Sequence, residues 1–570
     1  MTIRERAVDA QLVKDLAHEG FSSLQARLLA LRGVTKENYA DFLSPSLAGL
    51  VDSCKLPGII EAADIILEAV RDRSKIVVFG DYDCDGVCAS AILVSCLKTL
   101  GAEVVYFIPD RLSEGYGMSE KSVARMLKTF SDVKLVVTVD NGITSVSEIE
   151  ELKKLGVTCI ITDHHLPGDV LPDAAALVNP KVKADEDGLL SDLCGAGVAF
   201  MLARRLVDEA KKRALYSGGS IGGPMLILAG LATVTDIMPL SGQNRILVFE
   251  ALRRFHACAA SGIKELYLRS ATKGAKQLGV KDFGFLLGPR INAAGRIANA
   301  SEAIELLLSE DREVLREIAR KVDGYNLERK RIESEMTEAA LKSVVQDAPA
   351  QVIEITRGHK GVAGIVASRV MEKLGDVPVC VCVDGHGSAR SPVWLNIRDA
   401  MENCSRFLDR FGGHAAAGGF QVKEGAIDDF RAALCEYCEL VKAGRPADPE
   451  IHMVDAVVLP QDLTLEFAQW LKKLEPFGEG NPEPVFSLKG LMLAEVKPLG
   501  QEARHLQIRF RERGVPRAVW WNGGEEIERL RRDSHLSFDI TFSVVVSDYG
   551  DRHVELQLQK INPTAEQQYS

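Results

Sequence analysis

The chain has no surplus of positive charge: 69 lysines and arginines face 80 acids, a formal net charge of −11 over 570 residues. A globally basic surface is excluded, so any nucleic-acid binding must rest on local patches and bound cations. Long apolar runs are missing too. No uninterrupted apolar span reaches the roughly 18 residues of a membrane helix. The opening MTIRERAVDAQLVKDLAHEG is amphipathic and charged, without an apolar core. We therefore expect neither secretion nor membrane insertion, and a cytoplasmic protein. Paired cysteine motifs are scarce. Of 12 cysteines, Cys435 and Cys438 form a C-x-x-C pair on a predicted helix, with no second pair at zinc-ligand spacing. Reduced, mostly buried thiols are expected.

What remains is ordinary for a globular protein, with 46% hydrophobic and 26% charged residues. The length suggests roughly three or four domains. One stretch stands out, Lys75–Val87, KIVVFGDYDCDGV. The apolar run Ile76 to Phe79 reads as a buried strand, broken at Gly80 by Asp81, Asp83 and Asp85 at alternate positions. Open α/β sheets bind ligands at the strands' C-terminal ends. Crowded carboxylates there suit a hard divalent cation such as Mg²⁺ or Mn²⁺. An EF-hand loop is ruled out: its twelfth position, counted from Asp81, is Ile92 instead of the required Glu. A solvated acidic turn is the plain alternative.

Strands and helices then alternate: helix 59–71, strand 76–79, helix 87–100, strand 103–108, helix 119–129, strand 134–139, helix 146–155, strand 157–162. This predicts right-handed βαβ units and a parallel sheet. Polar residues gather after each strand: Pro109–Gly117 with Arg111, then Asp140-Asn141-Gly142-Ile143-Thr144, then Asp163-His164-His165. One such Asp is commonly a helix cap; three successive strand ends exceed what capping explains. Asp236 follows a helical stretch in LATVTDIMPL and is unremarkable in isolation.

Residues 1–45 are expected to be a helical adaptor against the main domain. Residues 194–347 read mainly as helix, with Gly195, Gly197 and Ala199 suggesting close helix packing and GPRINAAGRI (288–297) a small-residue loop. The mixed-charge run to 347 is a connecting helix. A second α/β domain spans 348–445, with strand 351–356, helix 362–375 and strand 377–383. Its glycine-rich segments around Ser388, Arg390 and His414 read either as plain turns or as places where amides and a guanidinium approach a phosphate. Residues 446–570 carry short alternating strands, a small β-barrel. There Arg504, Arg509, Arg511, Arg513 and Arg517 precede Trp520 and Trp521, a mixture suited to single strands, though exposed arginines on ordinary strands look the same.

Taken in order, GDYDCDG, PDRLSEGYG, VDNGIT, TDHH and TVTDIMPL resemble the DHH phosphoesterase superfamily, named for Asp163-His164-His165. GPRINAAGRI, GIVASR, GSARS, FGGHAAAGG and EPFGEGNPEPVF extend the resemblance to its bacterial single-strand-specific 5′→3′ DNA exonucleases, from about residue 40 onward. The resemblance implies a DHH catalytic domain (46–347), a smaller DHH-associated domain joined by a long helix, and an OB-like barrel. It places the metal ligands on Asp83, Asp85, Asp140, His164 and Asp236, with Asp81 and His165 beside the metals and Asp163 behind them. It implies a pocket for the 5′-terminal phosphate near Arg111, Arg290, Ser388, Arg390 and His414, and DNA contacts at Arg509, Arg511, Trp520 and Trp521. Two departures stand out: Cys84 where the family often has Ala, and Ala298-Asn299-Ala300 where it often has acids.

Such a ligand set suits two divalent ions, Mn²⁺ or Mg²⁺, in an in-line displacement, with Asp140 bridging and His164 favouring Mn²⁺. The expected activity is a single-stranded-DNA-specific exonuclease releasing 5′-mononucleotides in recombination and repair. Single-strand-binding protein and a helicase are the implied partners, and a monomer is the simplest assembly. The rivals are a DHH phosphodiesterase for short oligonucleotides or cyclic dinucleotides, and a non-catalytic single-strand-binding scaffold.

Overall fold

The computed structural model describes residues 2–111, 114–115, 117–182, 188–220, 222–270, 278–444, 451–547 and 551–564. The chain divides into two compact units: Val51–Met238 with Glu250–Pro446, and Met1–Leu50 with Pro239–Phe249 and Ala447–Ser570.

The first unit contains two sheets. One is all-parallel, in the spatial order Val104–Phe107, Ile76–Phe79, Leu135–Val139, Thr158–Thr162, Ala176–Val178. Numbered along the chain this is 2-1-3-4-5, a doubly wound order whose switch point lies between the first and third strands. Val77, Phe79, Cys159 and Ile161 pack on Val123, Met126, Ile149 and Leu152 of the helices Glu120–Thr129 and Val146–Lys154. The alternate residues Ile76 and Val78 are buried as well, so both faces are covered. The fifth strand, Ala176–Val178, is absent from the sequence reading: three residues are too few to show a period.

The helix after Asp83 begins at Cys84, not at 87, so Asp85 lies in its first turn rather than on a strand end. GPRINAAGRI is helical, Gly288–Ile297, preceded by a π-helical turn Phe283–Leu287. Its small residues, read as loop signals, serve close packing. A Cβ on Gly288 would stand 2.1 Å from Thr235 Cγ2, and one on Gly295 2.2 Å from Tyr82 O.

The second sheet runs Leu408–Gly413, Ala417–Val422, His386–Arg390, Val379–Val383, Gln351–Glu354, antiparallel except for its last pair. GSARS and FGGHAAAGG are thus mostly strand, not turns. Glycine there makes room: a Cβ on Gly387 would meet the Phe420 ring at 2.0 Å. The helix Arg312–Lys342 leads into this sheet.

In the other unit a closed barrel is formed by Phe486–Leu499, His505–Phe510, Ala518–Trp520, His553–Pro563 and Ser537–Ser547, the last pairing back onto the first. Its core includes Leu16, Ala26, Leu28 and Leu29, and Thr2–Glu5 pairs with Ile451–Val454. Residues 2–50 therefore group with the barrel, not with the parallel-sheet domain as expected. Arg245 fastens Pro239–Phe249 in this unit, donating to the carbonyls of Phe42, Leu474 and Glu475. The sequence-read boundary at 445/446 lies outside the described residues. All twelve cysteines are free and none is exposed. Among the described residues no helix is long and apolar enough to cross a membrane.

Candidate active site

The switch point gathers the acids. Asn141 Nδ2 donates to Phe79 O at 3.3 Å and Val139 O at 2.9 Å, tying together the ends of the two strands that flank it. Asp140 follows the central strand with φ +63, a left-handed conformation that Asp tolerates better than most residues.

Asp83 caps the next helix, its Oδ1 accepting from the amides of Asp85 (3.0 Å) and Gly86 (3.1 Å). Asp85 accepts from Gly195 N at 2.6 Å and Ala196 N at 2.7 Å, the first amides of the helix Gly195–Lys212. Gly195 is small because of this site: a Cβ there would lie 2.6 Å from Asp140 Oδ1. Asp81 is fully buried, and neither of its oxygens has a hydrogen-bond partner; Asp140 Oδ1 lacks a donor as well.

His164 Nε2 stands 3.1 Å from Asp140 Oδ1 and 3.7 Å from both Asp85 Oδ2 and Asp236 Oδ2. Burial lowers this imidazole to about 4, leaving it neutral and able to ligate. Burial, reinforced by the charges of Asp85 and Asp83, raises Asp236 to about 8; burial likewise lifts Asp81, Asp85 and Asp140. Asp81 and Asp140 have little to offset their charge, and the Gly195 and Ala196 amides only partly offset that of Asp85, as expected where a cation belongs.

Asp163 organises the two histidines. Its Oδ1 accepts from the amides of His164 and His165 and lies 2.8 Å from His165 Nδ1, while Oδ2 accepts from Ile143 N. Burial opposes ionisation of Asp163, but these bonds outweigh it and hold it below its ordinary range. Burial likewise opposes charge on His165, and the Asp163 hydrogen bond overrides it, raising His165 to about 9. Buried Asn179, after the unforeseen fifth strand, donates to His165 O at 3.0 Å and accepts from Lys181 N at 2.7 Å. Its signal in the sequence was an Asn-Pro after a short apolar triplet.

Three donor groups result, each with ligand atoms within 4.8 Å of one another: Asp81, Asp83 and Asp140; Asp85, His164 and Asp236; Asp140, His164 and His165. All eight residues singled out from the sequence around the Asp-His-His motif thus lie together, Asp163 as support.

The cationic candidates divide. Arg111 lies over the Tyr82 ring at 4.8 Å. Burial, then the charge of Arg111, lowers Arg390, His359 and Arg296, the last to about 10, so Arg111, Arg296 and Arg390 form one positive cluster with a neutral His359 beside it. Ser388 and Arg390 close on the helix Ala363–Leu374, where a Cβ on Gly364 would stand 3.5 Å from Ser388 Oγ and 2.9 Å from the Arg390 guanidinium. Arg290 serves elsewhere: it is buried, paired with Asp323 at 2.9 Å and bonded to Leu286 O, fastening its helix to the long helix. Arg296, in the same motif, was not singled out from the sequence. His414 is exposed in the hairpin between Leu408–Gly413 and Ala417–Val422.

In the barrel unit, Arg509 and Arg511 are exposed, Arg511 bonding Leu493 O. Trp521 is exposed beside His505, whereas Trp520 packs against the barrel core, and Arg517 is paired with Glu555 at 2.8 Å.

Comparison with known proteins agrees with this geometry. Residues 75–218 match the N-terminal domain of the DHH family, 347–440 the DHHA1 domain and 454–560 the RecJ OB domain. The single-stranded-DNA-specific exonuclease RecJ of Bacillus subtilis is 34% identical over 558 residues, covering 95% of this chain and 68% of the relative. That of Escherichia coli is 34% identical over 532 residues, 89% of each chain. The crystal structure of Thermus thermophilus RecJ with Mn²⁺ matches with TM-score 0.83 and 30% identity, over 99% of this chain and 80% of that one.

Proposed function

The chain belongs to the RecJ family, and from that premise we propose that it hydrolyses single-stranded DNA from the 5′ end with two divalent cations. The observation that carries this reading is two neighbouring donor groups, Asp81 with Asp83 and Asp140, and Asp85 with His164 and Asp236. They approach at His164 Nε2 and Asp140 Oδ1, 3.1 Å apart, and both oxygens of buried Asp81 lack a hydrogen-bond donor. The residues fit hard cations: carboxylate oxygens and one neutral imidazole, the set expected for Mn²⁺ or Mg²⁺. Asp81, Asp83 and Asp140 would hold one, and Asp85, His164 and Asp236 would hold the other, with Asp140 available to both. Asp81 is a ligand in this reading, not merely a neighbour. Bound cations supply charge neutralisation at the scissile phosphate and an acidified water.

The chain's own residues do the rest. The Gly195 and Ala196 amides and the Asp83 cap fix the carboxylates in advance. His165, cationic at neutral pH with Nδ1 committed to Asp163, offers Nε2–H to a phosphoryl oxygen as negative charge develops. Arg111, Arg296, Ser388 and Arg390 take the 5′-terminal phosphate, which sets the direction of cutting. The RecJ-type barrel, through Arg509, Arg511 and Trp521, draws in longer strands and disfavours the short-substrate reading. Single-strand-binding protein and a helicase are the proposed partners, with recombination and repair the setting. Oligonucleotides labelled at the 5′ or 3′ end, with and without Mn²⁺, test the proposal. Retention of Mn²⁺-dependent mononucleotide release by Asp140→Ala would overturn the site.

A further inference from the structure

Ile237 lies one residue beyond Asp236 in the left-handed region, φ +57. The helix Gly223–Thr235 ends there in a Schellman motif. Met238 N donates to Thr233 O at 3.1 Å, and Ile237 N to Val234 O at 3.3 Å. The residue in this position is ordinarily Gly or Asn, since a Cβ is disfavoured and a β-branched side chain most of all. The isoleucine gains little burial in exchange: the residue is 72% exposed. Folding alone therefore selects against the residue that is present, and outliers of this kind cluster where function needs a side chain.

The neighbourhood says what it meets. Asp236 Oδ2 is 3.7 Å from His164 Nε2, so Ile237 follows directly on the metal-binding cluster. Leu166, the residue after His165, is also exposed, at 60%. Two solvent-facing aliphatic side chains thus each begin one residue beyond the acids and imidazoles that address a phosphate. A phosphate in a strand carries a base with it, and any base offers an apolar face whatever its identity. We infer that Ile237 is the platform for the base of the nucleotide being removed, holding it unstacked while its phosphate sits at the cluster. The inference rests on the nuclease reading above and adds to it a base contact that is indifferent to sequence.

Ile237→Gly and Ile237→Asn place residues suited to the backbone. Both are expected to raise the Tm of the Mn²⁺-loaded full chain by about 1–2 °C. Both should weaken the KM for a 5′-phosphorylated single strand about 5- to 30-fold, the scale of an aliphatic side chain losing its apolar contact, with Mn²⁺ affinity by calorimetry unchanged. The KM penalty should vanish on a strand whose 5′-terminal nucleotide is abasic. A higher Tm with unchanged KM overturns the inference, as does a penalty retained on the abasic strand or a fall in Mn²⁺ affinity that accounts for the loss. A wild-type chain without Mn²⁺-dependent cleavage fails the nuclease reading instead, and strand affinity by fluorescence anisotropy then decides the base contact by itself.

Discussion

Asp163 Oδ1 lies 2.8 Å from His165 Nδ1 and also receives the amides of His164 and His165, so one carboxylate sets both the backbone and the ring of the histidine pair. The first residue of the Asp-His-His motif therefore acts through the other two. Asp163→Asn keeps the shape but loses the charge that holds His165 up at about 9. In the metal-free protein, NMR titration should find His165 of this variant below 7. Its kcat should fall about 10- to 100-fold, as when the partner of a ligating histidine is removed. An unmoved His165 titration would show that Asp163 is not what charges the ring.

Gly195 bears on Asp140 by a different route. A methyl group at 195 has 2.6 Å to the Asp140 carboxylate, which real contacts do not allow. Gly195→Ala must push Asp140 aside or shift the helix whose amides hold Asp85. It should lower stability by about 1–3 kcal/mol through overpacking and weaken Mn²⁺ binding in calorimetry by tenfold or more. Intact binding with reduced stability would mean that the helix, not the carboxylate, gives way.

How far the sequence revealed this arrangement follows from what each feature rests on. Strand Ile76–Phe79 and the acids at the switch point were legible because a buried parallel strand shows as an apolar run ending in polar residues. The helix Gly288–Ile297 was read as a loop because Gly and Pro, which usually break helices, here allow backbone to approach Tyr82 and Thr235, a tertiary demand without local trace. Arg290 and Arg296 looked alike in one motif; only the position of Asp323 in the fold distinguishes the paired arginine from the one in the cationic cluster. Trp520 ends the strand Ala518–Trp520 and packs against the barrel core while Trp521 lies just beyond it, and where that strand stops depends on its pairing with Leu506 to Ile508, which leaves no local trace.

The two arginine classes separate in mutants. Arg290→Ala leaves Asp323 unpaired and should cost about 1–3 kcal/mol in denaturant unfolding, with KM ratios between 5′-phosphorylated and 5′-hydroxyl strands unchanged. Arg390→Ala should collapse that ratio about 10-fold or more through loss of a charged phosphate contact, with little effect on unfolding. The reverse pattern would reassign the pocket.

Within the barrel, Trp521→Ala should weaken binding of a long single strand about 5- to 30-fold, one stacked base, and leave the melting temperature unchanged. Trp520→Ala removes packing from the core and should destabilise by about 2–4 kcal/mol instead. Anisotropy and thermal melts on the same samples distinguish these outcomes. Equal effects of both on DNA binding would place the stacking surface elsewhere.

The buried carboxylates determine how the metal-free protein answers to pH. Burial, with neighbouring aspartates adding to it, raises Asp81, Asp140 and Asp236, the last to about 8. In the unfolded chain such groups ionise near 4. Between about pH 4 and 8 the folded chain thus holds more protons than the unfolded one, and the free energy of unfolding falls as pH rises. His165, raised to about 9, acts in the same direction above its unfolded value of about 6.5. His164, lowered to about 4, acts oppositely and only below about 6.5, so the window from pH 6.5 to 8.5 is free of it. In EDTA the Tm should drop across that window, by about 1–2 °C per pH unit for each group that titrates. Mn²⁺ replaces the protons, so its stabilising effect should grow with pH and reverse the slope. Asp236→Asn, which removes the group at about 8, should flatten the metal-free slope and raise the apo Tm at pH 8.5. A metal-free Tm that climbs from pH 6.5 to 8.5 would mean that these carboxylates are already charged and compensated without a cation.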